Sequence, residues 1–178
     1  MSSKYQSIQL SKSICLLLLV FSWQVSFAGE PLVPTHEIVI EGKVKEKKVV
    51  AIEELKSMKS VTLENINTSC TPKAEETSRL VKAVRLLSIL DSVVFDAPKG
   101  ALNAFYFKFV ASDGYTLVYS YNEIFNTETG RNMYLVTERE GVDILKMGNR
   151  ILLLTTSDIK TGRRNMKCLA RIVVCQAE

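Results

Sequence analysis

The sequence contains very little histidine, tryptophan and cysteine. Its 178 residues include one histidine, His36, one tryptophan and four cysteines, and the formal net charge is only +4. A single histidine excludes a multi-histidine metal site, and the cysteines show no C-x-x-C spacing. The chain also has no glycine-rich phosphate loop and no nucleophile-elbow motif. The common sequence patterns of zinc, nucleotide and serine-hydrolase sites are therefore absent.

The one long hydrophobic stretch lies near the amino terminus and predicts a secretory signal. Lys4 and Lys12 precede an apolar run at 14–20, and the small residues Ser26 and Ala28 occupy the positions that a signal peptidase reads, so we expect cleavage between Ala28 and Gly29. A membrane anchor is the alternative interpretation. The unbroken run is, however, well short of the ~20 residues that span a bilayer.

Cleavage would leave residues 29–178 as a single domain in the periplasm or outside the cell. Loss of Lys4 and Lys12 lowers the number of lysines and arginines from 23 to 21 against 19 acidic residues, so the net charge falls to +2. A charge this small argues against nucleic acid as a partner. No later segment is long and apolar enough to predict a transmembrane helix.

Three cysteines, Cys70, Cys168 and Cys175, remain after cleavage. Cys168 and Cys175 lie on one predicted strand, on opposite faces and about 23 Å apart if extended, so they should not pair with each other. Two possibilities remain open: a disulfide between Cys70 and one of these two cysteines, or three reduced thiols.

Alternating apolar residues predict many short strands. The ranges are His36–Gly42 with Lys47–Ile52 as a hairpin, Ser60–Ile66, Asn132–Thr137, Ile151–Thr155 and Cys168–Val174. A short helix is expected at Glu53–Met58, and most of Leu80–Val94 is predicted as helix, with a strand at Arg79–Ala83 as the alternative. The lysines near residue 45 predict a solvated sheet edge.

A second hairpin is predicted around Asp113-Gly114. Phe105, Phe107 and Phe109 alternate before this dipeptide, and Tyr115, Leu117, Tyr119 and Tyr121 alternate after it. Asp and Gly tolerate the positive φ that a tight primed turn demands. Together these elements predict an α+β fold: a single compact domain of mixed short strands and hairpins with a few short helices.

Three positions are candidates for chemistry. Cys70 follows a strand in a polar loop, where a thiol could be exposed and reactive; the alternative is a buried or disulfide-bonded cysteine. Arg163 and Arg164, with Lys167 nearby, could hold an anion through forked hydrogen bonds, or could form a solvated turn.

The order of several short motifs resembles a known family. The motifs are IEGKV, IEELKSM, AVRLLSILD, ASDGYTLVYSYNEIF, NRILLLTTSD and TGRRNMKCLARIVV, and they cover most of the chain from His36 to Val174. This arrangement is similar to the small stand-alone proteins with the oxidoreductase molybdopterin-binding fold, which is the fold of the sulfite oxidase catalytic domain. The resemblance implies that Cys70 is the molybdenum ligand and that Arg163 and Arg164 hold the pterin phosphate or an anionic substrate.

The chain departs from that family next to Cys70, and three functions follow. The supporting histidine has no counterpart, and the segment between strand and helix is shortened. We therefore favour an exported, non-catalytic binding module without a cofactor, whose partner is a small anionic ligand or an envelope protein. The first alternative is a periplasmic molybdenum-molybdopterin oxidoreductase with Cys70 as metal ligand. The second alternative is an envelope thiol-redox or structural partner protein.

Overall fold

The computed structural model describes residues 31–70 and 77–177 of the chain. The predicted leader at 1–28 and its cleavage point lie outside these residues. Strands in the described part are β1 Glu37–Gly42, β2 Lys48–Ala51, β3 Ser60–Asn67, β4 Thr77–Arg85, β5 Phe105–Ala111, β6 Thr116–Ser120, β7 Met133–Arg139, β8 Val142–Asp143, β9 Leu153–Thr155 and β10 Leu169–Gln176.

Helices are few and short. They are α1 Ile52–Ser57, α2 Leu87–Leu90, α3 Tyr121–Phe125 and α4 Glu128–Arg131, with 3₁₀ helices at Lys99–Ala104, Ile144–Lys146 and Thr161–Arg163. Among the described residues, no helix has both the length and the apolar composition that a bilayer crossing requires. The predicted α+β class, with mostly strands and a few short helices, is confirmed.

The strands form two sheets. In the first sheet the order is β2-β1-β10-β5-β6, and in the second it is β3-β4-β7-β8 with β9 also paired to β7. The pair β1–β10 is parallel, with Ile40 opposite Ile172, and the other pairs are antiparallel. Buried side chains of both sheets, such as Ile172 and Leu135, belong to one hydrophobic cluster. The two sheets therefore share a core.

The predicted β5–β6 hairpin is confirmed, but its turn differs from the prediction. Alternate residues of β5 are buried, as the pattern of phenylalanines required. Gly114 alone adopts a positive φ, +83°, and its N–H donates to the carbonyl of Ala111 at 3.1 Å. The loop is thus a three-residue turn closed by a left-handed glycine, which is a common hairpin geometry. The prediction of a tight primed turn was wrong. Tyr121 begins α3 instead of extending β6.

The prediction that most of Leu80–Val94 is helical was wrong. Residues up to Arg85 belong to β4, and helix is confined to Leu87–Leu90. The strand β4 pairs with both β3 and β7, and its register shifts between Lys82 and Ala83. The extra residue at this shift is Thr137 of β7. In β4 itself Ala83 and Val84 are buried next to each other, so strict alternation is lost and the buried positions resemble helical spacing. The alternative of a strand at Arg79–Ala83 is confirmed.

The segment before β1 packs against two loops. Val33 N–H donates to Ser112 Oγ at 2.9 Å, and Thr35 N–H donates to the carbonyl of Arg150 at 2.7 Å. These bonds hold Leu32 beside the tip of the β5–β6 hairpin, where it helps to form the recess described next.

Candidate functional site: a recess at Cys70

A small recess lies where β3 ends, at the tip of the β5–β6 hairpin. Its volume is about 170 Å³, and its lining residues are Leu32, Cys70, Ala111, Asp113, Tyr115, Asn165, Met166 and Lys167. We call it the Cys70 recess. Its described lining combines a half-buried thiol, a carboxylate, an ammonium group and several apolar surfaces, so its polar groups could orient a ligand of a few atoms.

The loop that carries Cys70 is fixed by a buried side chain. Asn165 is 2% exposed, and its Nδ2 donates to the carbonyls of Ser69, at 2.8 Å, and Asn67, at 3.3 Å. Its Oδ1 accepts from the N–H of Thr155 at 3.0 Å. Asn165 thus joins the loop after β3 to β9 and to the segment before β10. Because a buried amide with satisfied partners rigidifies its surroundings, the position of the Cys70 loop is preorganised.

A second set of bonds fixes the hairpin side of the recess. Asp113 Oδ1 accepts from the N–H of Tyr115 at 3.0 Å, as turn-forming aspartates commonly do. The hydroxyl of Tyr115 donates to the carbonyl of Arg163 at 3.2 Å. The hairpin tip is therefore tied to the 3₁₀ helix that precedes Asn165 and Lys167.

Lys167 supplies the positive charge of the recess. It is half-buried, and no ion pair joins it to any residue in the described part of the chain. Within the described part of the chain, Asp113 is the one carboxylate in the lining. An ammonium group in the lining can pair with an anion, and a carboxylate in the same lining disfavours a large or highly charged one.

Arg163 and Arg164 line a different part of the surface. Together with the neighbouring residues 157–160 they border an open depression, not the Cys70 recess. Arg163 is exposed, and its backbone carbonyl accepts the Tyr115 bond already described. Cofactor binding by either arginine stays a prediction.

The guanidinium of Arg164 is held by three side chains. It pairs with Glu123 at 2.8 Å and with Asp158 at 3.4 Å, and its Cζ lies 4.5 Å from the ring centre of Tyr119. Burial raises the pKa of Tyr119 above its ordinary value. This neutral ring and two carboxylates give Arg164 a structural role at the edge of the core. An anion that bound Arg164 would have to compete with Glu123 and Asp158.

Neither of the other two thiols is bonded to Cys70. Cys168 is fully buried, its Sγ lies 3.9 Å from the carbonyl of Gly148, and burial raises its pKa. Cys175 is half-buried on β10, opposite Tyr106, whereas Ala111 of the recess lies opposite Leu169 at the other end of β5. No disulfide links Cys70, Cys168 and Cys175 to one another.

The recess does not fit a molybdopterin group. Ligand pockets of drug-like size have volumes of roughly 300–1,000 Å³, and the Cys70 recess, at about 170 Å³, is smaller. A pterin phosphate needs several convergent donors, but Lys167 is the one cation among the lining residues that the structure describes. The part of the chain described also holds no cluster of three or more His, Cys, Asp or Glu side chains suited to a metal ion.

Sequence reasoning found Cys70 but missed the residue that positions it. Asn165 lies among basic residues in the sequence and has no local signal, since its partners are about a hundred positions away. Lys167 was noticed only as part of a basic run.

Comparisons with known proteins support the fold alone. No family model matches the chain, and no curated protein matches its sequence. Among solved structures, the crystal structure of the sulfane dehydrogenase SoxCD from Paracoccus pantotrophus is similar, with a TM-score of 0.52 and 12% identity over 78% of this chain. The match spans 38% of that chain. The fold is thus related to that of an oxidoreductase, and membership in the molybdopterin-binding family stays a prediction.

Proposed function

We propose that the protein is an exported, non-catalytic binding module that holds a small anionic ligand in the Cys70 recess. Its scaffold would be of the oxidoreductase molybdopterin-binding type, as the sequence resemblance implies and the likeness to a sulfane dehydrogenase supports. Fold does not carry activity by itself, so the residues of the recess carry the proposal. Export rests on the leader at 1–28.

The observation that carries the proposal is the Asn165 clamp. A buried amide that bonds two carbonyls of one loop and an N–H of a distant strand fixes the loop that carries Cys70, and Cys70 and Lys167 line the same recess. Preorganisation of this kind lowers the ordering cost of binding. A recess of about 170 Å³ with Lys167 in its described lining suits a small oxyanion or carboxylate.

Alkylation of Cys70 tests the proposal directly. Iodoacetamide should label Cys70 about tenfold more slowly in sulfate at about ten times its Kd than in sodium chloride of equal ionic strength. Cys175 should show no such protection. Peptide mass spectrometry measures each thiol separately, and Cys168 should react slowest because it is buried and its pKa is raised.

Two matched variants make this experiment specific. Lys167→Gln should abolish the protection, whereas Lys59→Gln, which removes an exposed charge outside the recess, should preserve it. If neither sulfate, phosphate nor acetate slows labelling of Cys70 in the unmodified protein, anion binding in the recess is refuted.

The main alternative is a molybdenum oxidoreductase with Cys70 as metal ligand. The observation in its favour is the place of Cys70, just after β3, which matches the family pattern. We expect protein purified from a molybdenum-competent host to contain less than about 0.1 molybdenum atom per chain, because the recess is too small for the cofactor. Elemental analysis measures this content. Stoichiometric molybdenum that is lost in Cys70→Ala would establish the oxidoreductase instead.

A thiol-redox role has weaker support. Cys175 pairs with Tyr106, five residues along β5 from Ala111, which places it about 17 Å from the recess at 3.4 Å per residue. Cys168 is fully buried. Among the described residues, neither other cysteine offers an accessible thiol close to Cys70, so a redox role would require a thiol on another molecule.

A further inference from the structure

The strand β6 lies at the edge of the first sheet and carries no charged residue. Its sequence is Thr116, Leu117, Val118, Tyr119 and Ser120, and it pairs with β5 on one side. In the described part of the chain, no strand lies on its other side. The side chain of Val118 is 54% exposed, and those of Thr116 and Ser120 are exposed as well. This edge can therefore be reached by a strand of another molecule.

The geometry of the β5–β6 hairpin determines which backbone groups point outward from this edge. The N–H of Ala111 donates to the carbonyl of Tyr115 at 2.9 Å, so these two residues form a hydrogen-bonded pair. Bonded and non-bonded pairs alternate along an antiparallel ladder. The residues whose N–H and C=O groups point away from β5 are therefore Thr116, Val118 and Ser120. Outward groups of an edge strand need either water or a further strand as partner.

Two other edge strands carry features that discourage pairing with another chain, and β6 does not. At the opposite end of the first sheet, β2 contains Lys48 and follows lysines at positions 43, 45 and 47. At the edge of the second sheet, β3 contains Glu64 and a left-handed Asn65, with φ +54°. Charges and irregular backbone protect sheet edges. In contrast, β6 has neither charge nor proline, and its β-branched and aromatic residues favour strand structure.

We propose that β6 pairs antiparallel with β6 of a second copy of this chain, about a twofold axis at Val118. The strand has nearly the same chemistry in both directions, since Thr116 and Ser120 are hydroxyl residues and Leu117 and Tyr119 are large and mainly apolar. Pairing centred on Val118 thus places each residue opposite a similar one, and no like charges meet. Two five-stranded sheets would join into one continuous sheet.

The contact is small, so the dimer should be weak and should depend on concentration. The outward residues of two β6 strands can form about four backbone hydrogen bonds. Interfaces contain about one hydrogen bond per 100–200 Å², so these bonds correspond to about 400–800 Å² of buried surface. Interfaces below about 1,200 Å² belong to transient complexes. We therefore expect a Kd of about 10–100 µM.

Sedimentation velocity of the purified protein tests the proposal. The average mass should rise toward that of a dimer between about 5 µM and about 500 µM. Val118→Lys should weaken dimerisation about tenfold, because two ammonium groups would lie directly opposite each other. Val49→Lys is the matched control, since Val49 is 45% exposed at the other edge of the same sheet. Val118→Thr keeps an uncharged β-branched side chain and should retain the dimer.

Amine cross-linking locates the contact independently. Lys108 of β5 lies opposite Val118, so one row across the dimer contains both residues and their copies. Cα distances of about 4.5 Å in non-bonded pairs and about 5.5 Å in bonded pairs place the two Lys108 Cα atoms about 15 Å apart. A Lys108 peptide linked to a copy of itself can come only from two chains. Mass spectrometry should detect it in the unmodified protein and in Val49→Lys.

Three results would overturn the proposal. They are a protein that stays monomeric at about 500 µM, a dimer that Val118→Lys weakens no more than Val49→Lys does, and a dimer in which Lys108 is not linked to its copy. The first result would leave the β6 edge to an extended segment of a different protein. This surface goes beyond the proposed function, because Thr116, Val118 and Ser120 do not line the Cys70 recess. The test of the recess by Cys70 labelling is thus unaffected.

Discussion

Gly130→Ala is expected to destabilise the protein by about 3 kcal/mol, at the upper end of overpacking effects. Gly130 is buried in α4, and a Cβ added there would lie 1.7 Å from the carbonyl oxygen of Ile124 and 2.7 Å from its Cα. Those atoms are backbone atoms of α3, so no side chain can rotate to make room. The two short helices would have to move apart.

The cost of that movement is high because α3 holds two parts of the structure. Tyr121 and Phe125 pack edge-on against Phe95, at ring-centre distances of 5.8 Å and 5.9 Å, and so anchor α3 to the aromatic part of the core. Glu123 of the same helix pairs with Arg164. A shift of α3 therefore disturbs both the core and the segment that leads to the Cys70 recess.

Thermal unfolding of matched variants measures the effect. For a domain of this size, about 3 kcal/mol corresponds to a fall in Tm of about 6–12 °C. Gly100→Ala is the control, because its added Cβ would meet nothing within 4 Å. A Tm of Gly130→Ala within about 1 °C of that control would show that α3 and α4 are not packed backbone to backbone, since surface substitutions have effects this small.

The fold could be predicted from sequence wherever one local pattern determined one element. The hairpin at Gly114 is the best case, because alternating aromatic residues and turn residues indicate the same structure. Leu80–Val94 could not be assigned in this way. The strand β4 buries Val84 next to Ala83, so the apolar spacing of this central strand resembles that of a helix.

The candidate site was predicted only in part, for a related reason. Cys70 could be found because it follows a strand with clear alternation. Asn165 could not, since its role depends on carbonyls of the β3 loop and on Thr155, which tertiary folding brings to it. Arg164 is the opposite case. Its sequence pattern is suited to anion binding, but the fold pairs its side chain with Glu123 and Asp158.

Asn165→Ala is expected to have the second large effect, with a loss of about 3 kcal/mol of stability and several-fold faster alkylation of Cys70. The substitution removes three hydrogen bonds from a position that is 2% exposed. It leaves the N–H of Thr155, a fully buried residue, without the acceptor that it uses in the native protein. The protection of Cys70 by sulfate should also be lost, because the loop is no longer held beside Lys167.

Asn122→Ala and Asn165→Asp separate the clamp from a general loss of packing. Asn122 is exposed on α3, so its replacement should change neither stability nor labelling. In Asn165→Asp, a carboxylate would face the carbonyls of Asn67 and Ser69, so its pKa should be raised in the folded state. The stability of this variant should then be highest below the unfolded aspartate pKa of about 4 and should fall as pH rises through the folded pKa. If chemical denaturation shows no such pH dependence relative to the unmodified protein, or if Asn165→Ala labels at Cys70 no faster than Asn122→Ala does, the amide of Asn165 does not position the Cys70 loop.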